Sequence, residues 1–332
     1  MPAPSLPQSR RRKVLLLGAA AVAAPALGFA QQQIAGGRPI SLVVSYPPGG
    51  GADLVARLIA QPMSRFLGQS VVVDNRPGAS GQIAAGYVAR GNADGSTLLL
   101  DASSFAVNPS LFPKLPYDSQ KDFSPIGVVA LFPNVLVCTP AFPAQSVKDL
   151  VRMAKAAPGK IAFASSGNGS AQHLAGALFE SRAAVQLVHV PYKGGGPALN
   201  DVMGGQVPLF FANVASSLGH IAAGKLRPLA VTTRLRARAL PEVPSMEESG
   251  IPGYEVLEWN PVLAPAATPA PVQARLRDAL GAAMEDPEVL ARIRSLSGEV
   301  FPHRDPARVA AFLQAQQQQW SRLVRERRIV AG

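Results

Sequence analysis

A run from Ile40 to Asp53, Ile40-Ser-Leu-Val-Val-Ser-Tyr-Pro-Pro-Gly-Gly-Gly-Ala-Asp53, constrains the fold more than any other segment. The apolar stretch Ile40 to Val44 reads as a buried strand. Two prolines and three glycines follow, and then Leu54, Val55, Leu58, Ile59, Met63, Phe66 and Leu67 recur at helical spacing. A strand, a glycine loop and a helix N-terminus in that order can hold an anion. The first helical N–H groups lack intrahelical partners, and the helix dipole favours negative charge there. No lysine follows the glycines and their spacing is not the dinucleotide pattern, so a carboxylate is a simpler guest than a nucleotide. A tight turn closed by Asp53 as a capping residue is the competing reading. Pro62 falls inside the helical pattern and is expected to kink or end it.

The same grammar recurs downstream. Ser70 to Asp74, Thr97 to Asp101, Val135 to Thr139, Ile161 to Ala164, Val185 to Pro191, Pro208 to Phe211 and Leu229 to Thr232 read as strands. Helices are expected over Gln82 to Arg90, Ser146 to Ala156 with Ser146 as cap, and Ala171 to Arg182, and another starts at Pro197. Alternation of this kind argues for an α/β architecture with a largely parallel sheet, whose ligands bind at the carboxyl ends of strands. The last third differs: Ala264 to Pro271 reads as a proline-alanine loop, followed by helices over Val272 to Met284, Pro287 to Leu296 and Pro306 to Glu326.

Three loops share one chemistry: Pro47-Pro-Gly-Gly-Gly-Ala-Asp53, Ser165-Ser-Gly-Asn-Gly-Ser170 and Tyr192-Lys-Gly-Gly-Gly196. Each follows a strand, precedes a helix and offers backbone N–H groups, and the second adds hydroxyls. The candidate ligand contacts are therefore Tyr46, Pro48, Gly49, Gly50 and Asp53 from the first loop. The second contributes Ser165, Ser166, Gly167, Gly169 and Ser170 with His173 beyond it, and the third Tyr192, Lys193 and Gly194. Ser103, Ser104 and Asn213, just past strands, complete the set. Lys193 reads equally as a ligand clamp or a solvated cation.

Hydrophobic residues make up 48% of the 332 and charged residues 16%, which supports a large core and argues against global disorder. The formal net charge is +11. Arg10, Arg11, Arg12 and Lys13 hold four of those charges in a segment free of acids, so a chain without that segment carries +7. With no aromatic-basic stripe, this charge suits an anionic small ligand better than a nucleic acid. The basic cluster, the apolar stretch Val14 to Leu27 and the small residues Gly28 and Ala30 form an export signal, cleaved near Ala30. Arg11-Arg12-Lys13-Val14-Leu15 fits the twin-arginine route, with the general secretory route open. Beyond it, no stretch is long and apolar enough to cross a membrane. The single cysteine, Cys138, sits in an apolar run and reads as core; it excludes an intramolecular disulfide.

Catalytic readings are weaker. Ser170 lacks the glycine two residues on that a nucleophile elbow requires, and no orienting acid is indicated for a pair with His173. His173 reads as a group that caps or hydrogen-bonds within the fold. Four scattered histidines and one cysteine give a metal site no support, and no cofactor is called for. Trp259 and Trp320 read as packing anchors.

An ordered series of motifs resembles the extracytoplasmic solute receptors of tripartite tricarboxylate transporters, the Bug family. It comprises Val43-Val-Ser-Tyr-Pro-Pro-Gly-Gly-Gly-Ala-Asp53, Gly68-Gln-Ser-Val-Val-Val-Asp-Asn-Arg-Pro-Gly78, Leu115-Pro-Tyr-Asp118, Lys121-Asp-Phe123 and His189-Val-Pro-Tyr-Lys-Gly194. Gly204-Gly-Gln-Val207, Ala223-Gly-Lys-Leu-Arg227 and Leu240-Pro-Glu-Val-Pro244 complete it. The resemblance implies a two-lobed periplasmic binding protein of the Venus-flytrap type II class, with mixed and parallel sheets flanked by helices. Beyond the leader at residues 1–30, it implies 31–133 plus 236–332 as one lobe and 134–235 as the other. It also implies a monomer that takes a small carboxylate, works with membrane transporter subunits and catalyses nothing. A receptor feeding a signalling partner, and a secreted serine hydrolase using Ser170 and His173, are the alternatives. Many relatives carry aspartate where Ala212 stands, which points to a plain carboxylate rather than an amino acid as ligand.

Overall fold

The computed structural model describes Met1 and residues 33–302, 304–326 and 329. The expected leader and His303 lie outside the described residues. The opening unit forms as β1 (Ile40–Val44) and α1 (Gly51–Leu67). A first block continues through β2 (Val71–Asn75), α2 (Gln82–Ala89), β3 (Thr97–Leu100) and α3 (Ser104–Leu111). β4 (Phe123–Cys138) leaves it, and α4 (Val147–Ala156), β5 (Ala162–Ser165), α5 (Ala171–Ala183) and β6 (Val188–Pro191) follow. α6 (Gly195–Met203), β7 (Leu209–Asn213), α7 (Val214–Ala222) and β8 (Arg227–Val231) complete a second block. The chain returns through β9 (Leu257–Pro265), α8 (Ala270–Glu285), α9 (Pro287–Ser295), β10 (Glu299–Val300) and α10 (Pro306–Glu326).

The strands order as β2-β1-β3-β9-β4-β7-β5-β6, with β10 and β8 also on β4. β1 pairs in parallel with β2 and β3, and β5 with β6 and β7; β9 is antiparallel to β3 and β4. This is a mixed α/β fold of two lobes joined through β4, whose first half pairs β9 and whose second half pairs β7 and β8. The changeover falls where Pro133 faces Leu257 and Asn134 faces Asn213.

Both faces of β1 are buried, which is why it reads as an apolar run broken only by the half-buried Ser41. Ile40, Leu42 and Val44 pack with Val55, Ile59 and Met63 of α1 and Leu276 and Leu280 of α8. Val43 points the other way, into Ala84, Ala85, Val88 and Leu99. The second half of β4 repeats this: Val135 and Val137 join Phe210 and Ala212, whereas Leu136 and Cys138 join Phe163, Leu209 and Phe211. Cys138 is the core residue its surroundings suggested, and burial raises its thiol pKa. Trp259 and Trp320 are packing anchors, and both indoles donate to Oε1 of Gln316, tying α10 to β9.

Several boundaries differ from the sequence reading for physical reasons. Pro62 does not end α1, which runs on to Leu67 and stops at Gly68 in the left-handed conformation. Asp53 is not the N-cap: Gly50 takes that position, and Asp53, inside the first turn, reaches back to accept from the Gly49 amide at 3.0 Å. The Ala264 to Pro271 loop is shorter than expected, because β9 runs to Pro265 and α8 starts at Ala270 with Pro271 in its first turn. β6 starts only at Val188. β9, the first half of β4 and α7 have no counterpart in the sequence reading.

Candidate ligand-binding cleft

Four helices begin around one hollow between the lobes. α1 brings Gly51 and Ala52, preceded by its N-cap Gly50; α6 brings Gly195; α7 brings Ser216 and its N-cap Asn213; α5 brings Gln172. Tyr46, Ala102, Ser166, Phe210 and Glu258 close the lining. The hollow measures about 30 Å³, room for a single water. Residues from the first turns of four helices, and with them the positive ends of four dipoles, thus line one small volume that contains no basic side chain. A second hollow of about 200 Å³ adjoins it and shares Tyr46 and Ser166. Ser45, Gly78 to Gly81, Gly167, Asn168, Pro191, Tyr192 and Lys193 line the rest.

Contact across the cleft is close. A Cβ on Gly194, whose φ is +139°, would sit 2.5 Å from the Pro47 ring, and one on Gly51 would sit 3.1 Å from the Asn213 amide. At Gly167, φ +123°, it would meet Ser80 Oγ at 3.3 Å. Glycine at these positions lets the loops of the two lobes meet.

Of the residues read from the sequence, the structure brings Tyr46, Gly50, Ser166 and Asn213 to the smaller hollow and Gly167, Tyr192 and Lys193 to the larger. Pro48 and Gly49 are exposed at the tip of the first loop, and Gly194 abuts Pro47. The others brace the lining from behind. Tyr46 donates to Ser104 Oγ at 2.9 Å. Asp53 accepts from Gly49, Arg57 and Asn75, and although burial alone would raise its pKa, these hydrogen bonds hold it below the usual carboxylate value. Ser165 Oγ lies 2.6 Å from His189 Nε2 and accepts from the Gly167 amide. Ser170 is the N-cap of α5: its Oγ accepts from the His173 amide and donates to the Gly167 carbonyl. His173 Nδ1 accepts from the Gly169 amide at 3.1 Å. The serine hydroxyl and the imidazole that could have made a nucleophile–base pair are each occupied by a loop cap. His173 and His189 stack at 3.7 Å, and burial lowers their pKa to about 4 and about 3.

Sequence reasoning missed the floor of the cleft. Glu258, 5% exposed on β9, accepts from the Ser103 amide and hydroxyl at 3.0 and 2.9 Å and from Gln172 Nε2 at 3.1 Å. Asp101 accepts from Ser45 Oγ at 2.5 Å and from the Ala102 amide at 2.7 Å. Burial pushes the Asp101 carboxyl up to about 7 and raises that of Glu258. Gln172 also donates to Asn134 Oδ1. Asn134, Thr232 and Val256 lock the strand crossings: Thr232 Oγ1 accepts from the Asn134 amide, and its hydroxyl hydrogen is shared between the Val256 and Asn134 carbonyls. Nothing local flags Glu258 in the sequence, because the strand that carries it went unread. Among the described residues no cluster of metal-ligating side chains occurs.

The sequence profile described as "Tripartite tricarboxylate transporter family receptor" matches residues 55–329. A UPF0065 protein encoded between tcbD and tcbE in Pseudomonas sp. strain P51 is 38% identical over 330 residues, 99% of this chain and 98% of that protein. The solved periplasmic binding protein BugD superposes with a TM-score of 0.85 at 36% identity, over 88% of this chain and 98% of its own. Rpa4515 of R. palustris, solved with adipate, gives the same TM-score of 0.85 and 36% identity, over 88% and 98% of the two chains.

Proposed function

The chain belongs to the tripartite tricarboxylate transporter family of receptors, and we propose on that premise that it is a periplasmic solute receptor that captures a small carboxylate between its lobes. One observation carries the reading. Four helix N-termini, with no basic side chain among them, surround a single hollow, the arrangement that satisfies a carboxylate by backbone N–H groups and dipoles. The adipate held by the Rpa4515 relative supports the same ligand class.

In this reading residues 1–30 are an export leader removed near Ala30. The lobes are 31–133 plus 236–332 and 134–235, a division supported by the change of sheet along β4 at Pro133 and Asn134. The protein acts as a monomer and hands its ligand to membrane transporter subunits. A hollow with room for one water supports a reading in which the ligand enters an opened cleft that then closes on it. The ligand contacts both lobes and therefore favours the closed state, which the transporter recognises. The catalytic alternative loses support because Ser170 and His173 serve as loop caps.

A thermal-shift screen of the chain from residue 31 against mono-, di- and tricarboxylates tests the reading, because a ligand that binds only the folded state raises its midpoint. At least one acid is expected to raise the midpoint in a concentration-dependent way while its amide does not. Failure of every acid, or an equal response to acids and amides, would contradict it.

A further inference from the structure

Two carboxyl groups lie at and behind the smaller hollow on consecutive amides: Asp101 accepts from the Ala102 amide and Glu258 from the Ser103 amide. Both are buried, and Ala102 and Glu258 line the hollow itself. No lysine, arginine or histidine lines the hollow or donates to either carboxyl. The titratable groups facing Asp101 are Glu258 from β9, Tyr46 beyond β1 and Tyr117 after α3, and the turn before α2 presents Gly81.

The two carboxyls differ in their hydrogen bonds. Glu258 accepts from the Ser103 amide and hydroxyl, from Gln172 Nε2 and from the Trp259 amide, which fills the roughly four acceptor positions of an ionised carboxylate. Asp101, 0% exposed, takes both of its contacts, from Ser45 Oγ and the Ala102 amide, on Oδ1, and its Oδ2 has no partner. Beside it Asn260, 1% exposed, gives its Nδ2 to the Asp101 carbonyl and leaves its own Oδ1 without a donor. The surroundings of Asp101 thus hold more acceptors than hydrogens, and a bare buried acceptor is costly. A proton on Asp101 supplies the missing hydrogen. Ser104 Oγ, which faces that carboxyl and accepts from Tyr46, has a second lone pair to receive it. Burial, reinforced by Glu258, lifts the Asp101 pKa to about 7.

We propose that Asp101 is a proton site coupled to the cleft: when a carboxylate enters the hollow the receptor takes up a proton there, so that anion and proton are captured together. The proposal rests on the carboxylate reading above. A guest carboxylate against Ala102 and Glu258 brings a third negative group beside two buried ones, and like charges so close in a dry site do not all stay ionised. Helix N-termini hold the charge of the guest, and four donors hold that of Glu258, so Asp101 is the group that yields. The proton comes from solvent to Asp101, and no bond of the guest changes. Well below pH 7 Asp101 already carries its proton and affinity is independent of pH. Above pH 7 each bound acid brings a proton with it, and affinity falls as pH rises.

Calorimetry of the chain from residue 31, in buffers of different ionisation enthalpy, counts the protons bound with each acid. Succinate, malate and adipate are the probes, from pH 6.5 to 8.5, where all three are ionised. An acid that binds is expected to take up more than about half a proton at pH 8.5 and to bind about 10-fold more weakly there than at pH 6.5. In Asp101→Asn, Oδ1 keeps the Ser45 and Ala102 contacts and Nδ2 supplies a permanent hydrogen. Uptake should then vanish, and affinity should stay within about 3-fold across the range. Infrared difference spectra of the natural protein at pH 8.5 should gain a carboxylic-acid carbonyl band when the acid binds, a readout that does not depend on how well the variant folds. Uptake below about half a proton at pH 8.5, absence of that band, or uptake retained in Asp101→Asn would overturn the proton site and leave the carboxylate reading standing. Binding of none of the three acids would sink both.

Discussion

On one side of the cleft Asp53 is ionised and held by Arg57, Gly49 and Asn75; on the other, His173 and His189 lie stacked and neutral against Ser165 and Gly169. Both devices do one job, fixing a glycine loop beside the cleft by holding its amides: Gly49 on Asp53, and Gly167 and Gly169 on Ser165 and His173. One uses a carboxylate paired with a half-exposed guanidinium, the other imidazoles that burial keeps uncharged. The two braces differ in what breaks them.

The sharpest way to break the comparison is to stop the loops from meeting. Gly194→Ala places a Cβ against Pro47 and keeps a φ of +139° that alanine resists, so the closed form is penalised. Closure should cost ~2 kcal/mol, about a 30-fold loss of carboxylate affinity, with circular dichroism and the ligand-free midpoint little changed. Unaltered affinity would mean that the loops need not meet.

Removing the charged brace acts next. Asp53→Ala leaves the Gly49 amide without its acceptor and frees Arg57, and should cost ~1–2 kcal/mol in chemical denaturation. Asp53→Asn keeps an acceptor and should cost less.

Acid separates the two braces. The folded pKa values of His173 and His189 lie below the ordinary 6.5, so their contribution is whole above about pH 6.5 and is lost as pH falls through 4 toward 3. Asp53 is lowered from 3.8, so its contribution persists until pH falls below that value. Asp101, raised to about 7, acts in the opposite sense: its contribution is whole below pH 3.8 and fades as pH rises through 7. It is present in both proteins of a comparison, so the difference between natural protein and His173→Asn isolates the imidazole. Between pH 6.5 and 4 the variant should lose stability with a shallower slope, whereas Asp53→Asn should keep the natural slope there. Parallel slopes for all three would show that the histidine stack is not the acid-sensitive brace. The smallest effect is expected at Lys193, an exposed cation beside only the larger hollow: Lys193→Ala should change affinity less than about 3-fold.

What was legible in the sequence follows from where the information is local. β1, the glycine loop and α1 announce themselves because a strand buried on both faces is apolar at all positions but Ser41 and the loop needs its glycines. The Ser146 cap of α4 and the limits of α10 are likewise local signals. The first half of β4 carries Pro125 and Pro133, and β9 carries Pro261 and Pro265, residues that normally argue against a strand. Their pairing supplies a stability that the local pattern does not reveal. The site divides in the same way. Tyr46, Ser166 and Asn213 follow from loop chemistry, whereas Glu258 reaches the hollow through long-range pairing and Gln172 lies inside α5, just past the glycine loop that signals the helix start.

The central claim is that helix N-termini in the cleft bind a carboxylate by closing on it. It is tested most directly by small-angle scattering of the chain from residue 31, titrated with the acid that gives the largest thermal shift and with its amide. A saturable fall in radius of gyration with the acid, absent with the amide and weakened in Gly194→Ala, is the predicted result. An unchanged radius at saturating acid, or the same contraction with the amide, would contradict it.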